Sequence, residues 1–234
     1  MTASTPDVDT KPLRIGVLYE NVQLTDLAGL DIIGNMSTRI FDMLSTIFPS
    51  MAQLKPFARD MEFLYISSST EPAWATPDMY IRPTHTYDNT PRDLDIILVG
   101  GPDPSKIPEA SVNFLREAST HTKAILATCS GGMWLASSGI LDGKKATTNR
   151  LFLEPAKKAF PKVEWLDERW VTDDGHFDGA QIWTSGGAKC GIDMVIEYAL
   201  HNFHEKLVAT ACGSLEFEIE GRRKEYSGPF TPIV

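Results

Sequence analysis

Basic residues are scarce beside acidic ones: 22 Lys and Arg stand against 31 Asp and Glu, a formal net charge of −9. No run of Lys and Arg breaks that balance. Neither nucleic acid nor an anionic membrane is therefore an expected partner, since both need a basic patch. Cysteine is nearly absent. Cys129, Cys190 and Cys212 are odd in number and far apart, which does not make a disulfide framework. No CxxC pair and no Cys/His cluster at zinc-like spacing occurs. Long apolar runs are missing as well, and none approaches the roughly 18 residues of a membrane helix. The polar start, MTASTPDVDTKP, has no apolar stretch of the kind a signal peptide carries. The expected setting is the reducing cytoplasm, where a free thiol stays reactive.

A chain of 234 residues, 42% hydrophobic and 23% charged, suits one α/β domain. We place it over residues 13–234, behind a disordered lead-in over 1–12. Short apolar strand-like runs alternate with helical patterns. LRIGVLY, MEFLYISSS, LDIILVGG and TKAILAT read as strands, MYIRPTHTY as edge structure, and KKATTN as a further strand. Helices are expected over residues 30–48, ended by Pro49, and in SVNFLREAST, MWLASSGIL, FLEPAKKAF and GIDMVIEYALHNF. WVTDDGHFDGAQIWTSGG reads as a hairpin. This alternation predicts a mostly parallel sheet covered by helices on both faces. Sites in such sheets form at the carboxyl ends of the strands. Two glycine turns fall there: GGPDP, with Gly100 and Gly101, and CSGG, with Gly131.

The second turn carries the strongest chemical signal. An apolar strand, AILAT, runs straight into Cys129-Ser130-Gly131-Gly132 and then a helix. This is the pattern of a nucleophile elbow, where a sharp turn exposes the reactive side chain and small neighbours relieve the crowding. A helix N-terminus beside the sulfur is expected to lower its pKa and favour thiolate. A lone cysteine otherwise packs as a small hydrophobe, and Cys190 and Cys212 read that way. Neither glycine turn fits a phosphate loop.

LATCSGGMWLASSGILDGKKATTN resembles the nucleophile segment of the ThiJ/PfpI superfamily. LRIGVLYENVQLTDLAGLDII, DLDIILVGGPDP and WTSGGAKCGIDMVIEYAL resemble three further blocks of that superfamily, in the same order. The resemblance implies a flavodoxin-like, class I glutamine amidotransferase-like fold, a homodimer, and no metal or organic cofactor.

It also implies an acid near the nucleophile. QLTDLAG resembles the acidic loop of the isocyanide-hydratase-like branch with one residue inserted, which assigns Asp26 as the partner of Cys129 and leaves Glu20 as the weaker alternative. Asp26 also reads as a helix N-cap. Ser130 follows the nucleophile, and the Gly101 N–H is a second candidate donor to a developing oxyanion. Members with a Cys-His-acid triad carry His where this chain has Asn149, and Asn is no general base. Trp183, just before the TSGG turn, lines the site or belongs to the core. The aromatic and methionine side chains of residues 34–60 read as helix core, a lid, a pocket wall or a dimer surface.

The expected function is cysteine-dependent addition of water to a small neutral molecule, isocyanide-hydratase-like, with Asp26 shuttling protons. Glyoxalase- or deglycase-like aldehyde chemistry, or a redox-sensing or chaperone-like dimer, is the alternative.

Overall fold

The computed structural model describes residues 11–230. Most of the lead-in expected over residues 1–12 lies outside them. The strands are β1 (Leu13–Leu18), β2 (Met61–Ser67), β3 (Ala73–Ala75), β4 (Met79–Ile81), β5 (His85–Thr86), β6 (Ile96–Val99), β7 (Ala124–Ala127), β8 (Lys145–Ala146), β9 (Glu164–Trp165), β10 (Trp170–Asp174) and β11 (Gln181–Ser185). Seven of them form the central sheet in the order β10-β11-β7-β6-β1-β2-β5. Every pairing in it is parallel except that of β10 with β11. β3 pairs with β4, and β8 with β9, outside it.

Alternation along the strands divides the core in two, because successive side chains point to opposite faces. Ile15, Val17, Ile96, Leu98 and Leu126 pack on one face with Met194 and Ile196. Leu18, Ile97, Val99 and Ile125 pack on the other with Phe114 and Trp134. The first face is covered by α1 (Gly29–Gly34), α6 (Ala188–Asn202) and α7 (Glu205–Ser214). The second is covered by α3 (Glu109–Ala118), α4 (Gly131–Ser137) and α5 (Leu153–Ala159). The architecture is α/β, with a mostly parallel sheet between helical layers.

Two local expectations need correction. The helix expected over residues 30–48 is two helices, α1 and α2 (Thr38–Ile47). They separate where the Thr38 N–H bonds to the Arg59 carbonyl and Ser37 caps α2. As expected, the α-helix ends before Pro49, at Ile47 with Phe48 extended, and Pro49 then starts a separate 3-10 stretch over Pro49–Phe57, consistent with the fixed φ of proline at a first turn. In KKATTN only Lys145–Ala146 is strand. From residues 34–60, Phe41 is core, Phe57 stacks on His204, and Met43 and Phe48 are exposed.

The connection from β1 runs to β2 on one side, and the chain later returns to β6 on the other. The ends of β1, β6 and β7 thus converge at a switch point. Asp26 follows β1, Gly100 and Gly101 follow β6, and Cys129 follows β7.

Candidate active site

β7 ends at Ala127, and the chain turns sharply into α4. At the turn Cys129 has a φ of +59°, in the left-handed region that costs an L-residue energy. Two bonds hold the backbone there. The Cys129 N–H donates to the Gly186 carbonyl at 2.8 Å, and its carbonyl accepts from Thr148 Oγ1 at 2.9 Å. The side chain is 8% exposed. Asn149 Nδ2 donates to Sγ at 3.3 Å. Asn149 Oδ1 meanwhile accepts from the Leu151 N–H at 3.0 Å, so the bonding pattern itself sets which end of the amide faces sulfur.

Asp26 sits on a 3-10 turn, Leu24–Leu27, and is 7% exposed. Neither carboxylate oxygen has a hydrogen-bond partner of normal length. The groups facing it are the Cys129 thiol and the Gly101 N–H. A cavity behind it is lined by Leu27, Leu30, Leu98, Leu126 and Val195. Burial against those apolar groups pushes the Asp26 pKa up to about 6, and the thiol and the N–H only partly offset it. The Cys129 thiol is pushed up to about 11, first by burial and then by the Asp26 charge, against donors from Asn149 and the Ser130 N–H. Between those two values the pair carries one negative charge, held by the carboxylate, and the thiol keeps its proton.

Gly101 makes this approach feasible. A Cβ there would lie 2.6 Å from Asp26 Oδ2, 2.8 Å from Ser130 Oγ and 3.0 Å from Cys129 Cβ. All three side chains occupy the space that any other residue would fill.

A family model described as the DJ-1/PfpI family matches residues 45–199. The chain belongs to the DJ-1/PfpI family. An isonitrile hydratase from Pseudomonas putida is 26% identical over 193 residues, spanning 80% of this chain and 71% of that protein. The HTH-type transcriptional regulator GbdR from Pseudomonas aeruginosa is 26% identical over 161 residues, which span 68% of this chain but only 42% of the regulator. Among solved structures, a ThiJ/PfpI family protein from Pseudomonas syringae superposes with a TM-score of 0.68 at 18% identity, over 97% of this chain and 84% of that one. Drosophila melanogaster DJ-1beta superposes with 0.64 at 14% identity, over 89% and 99%. Both structural likenesses concern the fold.

Within this DJ-1/PfpI chain, the residues singled out from sequence separate into two groups. Cys129, Asp26, Asn149, Gly101 and Ser130 meet. Glu20 does not join them. Its carboxylate accepts from the Ser68 N–H and Oγ at 2.7 Å and from Tyr87 Oη at 2.8 Å, and it is not among the groups acting on the sulfur. Trp183 is core: it is buried, stands edge-on to Tyr198, and donates to Gln181. The Gly100 N–H is used by the Leu18 carbonyl and the Gly131 N–H by the Thr128 carbonyl, so neither is an available donor. Gly131 instead lets α4 approach β6, since a Cβ there would lie 2.8 Å from the Val99 carbonyl.

Two further expectations change. The Gly101 N–H faces Asp26 rather than an open oxyanion position, and Ser130 Oγ is tied to the Pro102 carbonyl at 2.6 Å. The Cys129 thiol is not pushed toward thiolate, because burial and the Asp26 charge outweigh the Asn149 and Ser130 N–H donors. Sequence reading passed over Thr148 and Gly186, which clamp the elbow backbone. Both lie in the ATTN and TSGG segments already quoted, but nothing in their residue type marks them.

Proposed function

We propose that the chain is a cysteine-dependent enzyme that adds water to an isocyanide-like carbon of a small neutral molecule. The observation that carries the proposal is Asp26, a buried carboxylate with no hydrogen-bond partner of normal length, faced by the Gly101 N–H and by a protonated thiol whose sulfur already receives a donor from Asn149. A buried acceptor left open is costly unless something fills it, and a reacting proton would. The pKa of about 6 leaves Asp26 ionised near neutral pH and able to take the thiol proton.

The chemistry then balances in two stages. Sulfur adds to the terminal isocyanide carbon while its proton passes to Asp26, and Asp26 returns that proton to the same carbon, giving a thioimidate. Water then adds to that carbon, losing a proton to Asp26. Asp26 passes that proton to the nitrogen, the hydroxyl proton of the tetrahedral carbon then moves by way of Asp26 to the sulfur as the C–S bond breaks and the C=O bond forms, and the thiol is regenerated with release of an N-formamide. Asn149 Nδ2 and the Ser130 N–H stabilise sulfur while it is anionic. The relative named isonitrile hydratase supports this choice of substrate class. Among the groups acting on the sulfur there is no histidine, which supports addition chemistry over a Cys-His-acid triad.

The test is incubation with an alkyl isocyanide, with formamide followed by proton NMR. Turnover is expected in the wild type, and none in Cys129→Ala. Full turnover by Cys129→Ala, or loss of methylglyoxal with no formamide from any isocyanide, overturns the proposal.

A second reading is favoured by the 26% identity to a transcriptional regulator: the same site would hold a ligand without converting it. Saturable binding of an isocyanide with no product over many hours would select it.

A further inference from the structure

Residues 221–230 lie against the surface beside the elbow and are fastened at several points. The Arg169 N–H donates to the Lys224 carbonyl at 2.7 Å. Lys224 Nζ pairs with Glu168 at 3.1 Å. Arg150 donates to the Gly228 carbonyl at 3.1 Å, and its guanidinium lies 4.1 Å from the centre of the Tyr226 ring and 5.4 Å from that of Phe230. Arg169 lies on the same Tyr226 ring at 6.0 Å. Tyr226 Oη is 3.6 Å from Cys190 Sγ. It also occupies the space that a Cβ on Gly186 would need.

Two of these contacts fall one step from bonds that hold Cys129. Arg150 follows Asn149, the donor to the sulfur, and sits on the 3-10 turn that Asn149 caps. Gly186, under the Tyr226 hydroxyl, supplies the carbonyl that accepts the Cys129 N–H. Arg150 is further braced by Asp167 at 2.6 Å.

Resting on the reading of Cys129 as the reacting group, we infer that residues 221–230 form a strap over the elbow and that Tyr226 is its positioning residue, fixing the Asn149 donor through the stacking of its ring on Arg150. Tyr226 touches neither the sulfur nor Asp26 and acts only through that neighbour. With the ring removed, Arg150 loses its stacking partner, and the turn capped by Asn149 is free to shift. Asn149 Nδ2 then spends less time on the sulfur, and the thiolate loses a donor.

The measurement is the rate of Cys129 alkylation by iodoacetamide over about pH 7 to about 12, read on the Cys129 peptide by mass spectrometry so that Cys190 and Cys212 do not enter the signal. The pH midpoint reports the thiol, whereas the plateau reports access. Tyr226→Ala is expected to raise the midpoint by about half a pH unit, equivalent to about threefold less thiolate at a given alkaline pH. Tyr226→Phe keeps the ring on Arg150 and is expected to restore the wild-type midpoint. Arg150→Gln, which breaks the strap from the other side, is expected to move it as Tyr226→Ala does, and serves where that variant folds poorly.

Asn149→Ala provides the reference shift, and adding Tyr226→Ala to it is expected to raise the midpoint no further, because contacts acting through one donor are not additive. A midpoint unmoved by both Tyr226→Ala and Arg150→Gln, while Asn149→Ala moves it, overturns the strap and leaves the reading of Cys129 standing. Formamide production that survives Cys129→Ala sinks that reading separately.

Discussion

Asp26 combines two properties that oppose each other. Its burial makes it a base of useful strength, and the same burial destabilises the folded chain. The folded pKa of about 6 exceeds the ordinary value of 3.8, so between those values the folded state binds more proton than the unfolded state. Stability from this group is therefore complete below the ordinary value and is lost as pH rises through about 6. A shift of about two units corresponds to a deficit of up to about 3 kcal/mol above that range. Asp26→Asn removes the charge and keeps the shape. It is expected to gain up to about 3 kcal/mol in urea unfolding near about pH 8 and less than about 1 kcal/mol near about pH 4, while losing turnover. Equal gains at both pH values would show that the carboxylate is not strained by burial. Ser130 carries no such conflict. It spends its hydroxyl on the Pro102 carbonyl, which makes it a tether between the two glycine turns.

Elements were legible where apolar runs were continuous and ended in glycine. β6 and β7, with the turns after them, follow from DIILVGG and AILATCSGG, because strands buried on both faces have no polar side to interrupt the pattern. α7 is the counterexample. Two of its four buried residues, Ala211 and Cys212, are small beside Leu207 and Val208, so the helical stripe is faint. The break between α1 and α2 was equally silent, since it depends on Arg59, which is distant in sequence. Within the site, Cys129 announced itself through its neighbours, whereas Thr148 acts through one hydroxyl, Gly186 through its carbonyl and Tyr226 through one ring, and composition carries no trace of that. The docking of α4 shows the same dependence. A Cβ on Gly132 would run into the carbonyl oxygen of Thr147, a backbone atom that cannot turn aside. Gly132→Ala is expected to lose about 1 to 3 kcal/mol in urea unfolding, as overpacked cores do. It should also slow alkylation of Cys129, because Thr148, next along, holds the elbow carbonyl. Wild-type stability would place the helix farther from that strand end.

At the scale of the whole molecule, charge bears on which substrates arrive. The chain carries −9, and at neutral pH the site adds an ionised Asp26 behind a neutral thiol. No Lys or Arg is among the groups that shift Asp26 or Cys129, so an anionic substrate meets an unfavourable field on approach and, on arrival, no cation that acts on either group. A neutral isocyanide meets neither. The two terms separate by their response to salt, because long-range repulsion is screened over about 10 Å at about 0.1 M, and contacts inside a buried site are not. With a matched pair of alkyl isocyanides, one ending in a methyl group and one in a carboxylate, kcat/KM is expected to favour the neutral compound. Raising the salt from about 0.01 M to about 0.3 M should leave the neutral compound nearly unchanged and speed the anionic one several-fold, without making them equal. The residual gap measures what the site itself refuses. A carboxylate compound turned over faster at low salt would instead require a cation near Cys129 that guides it in, and the strap arginines, Arg150 and Arg169, would be the first to replace.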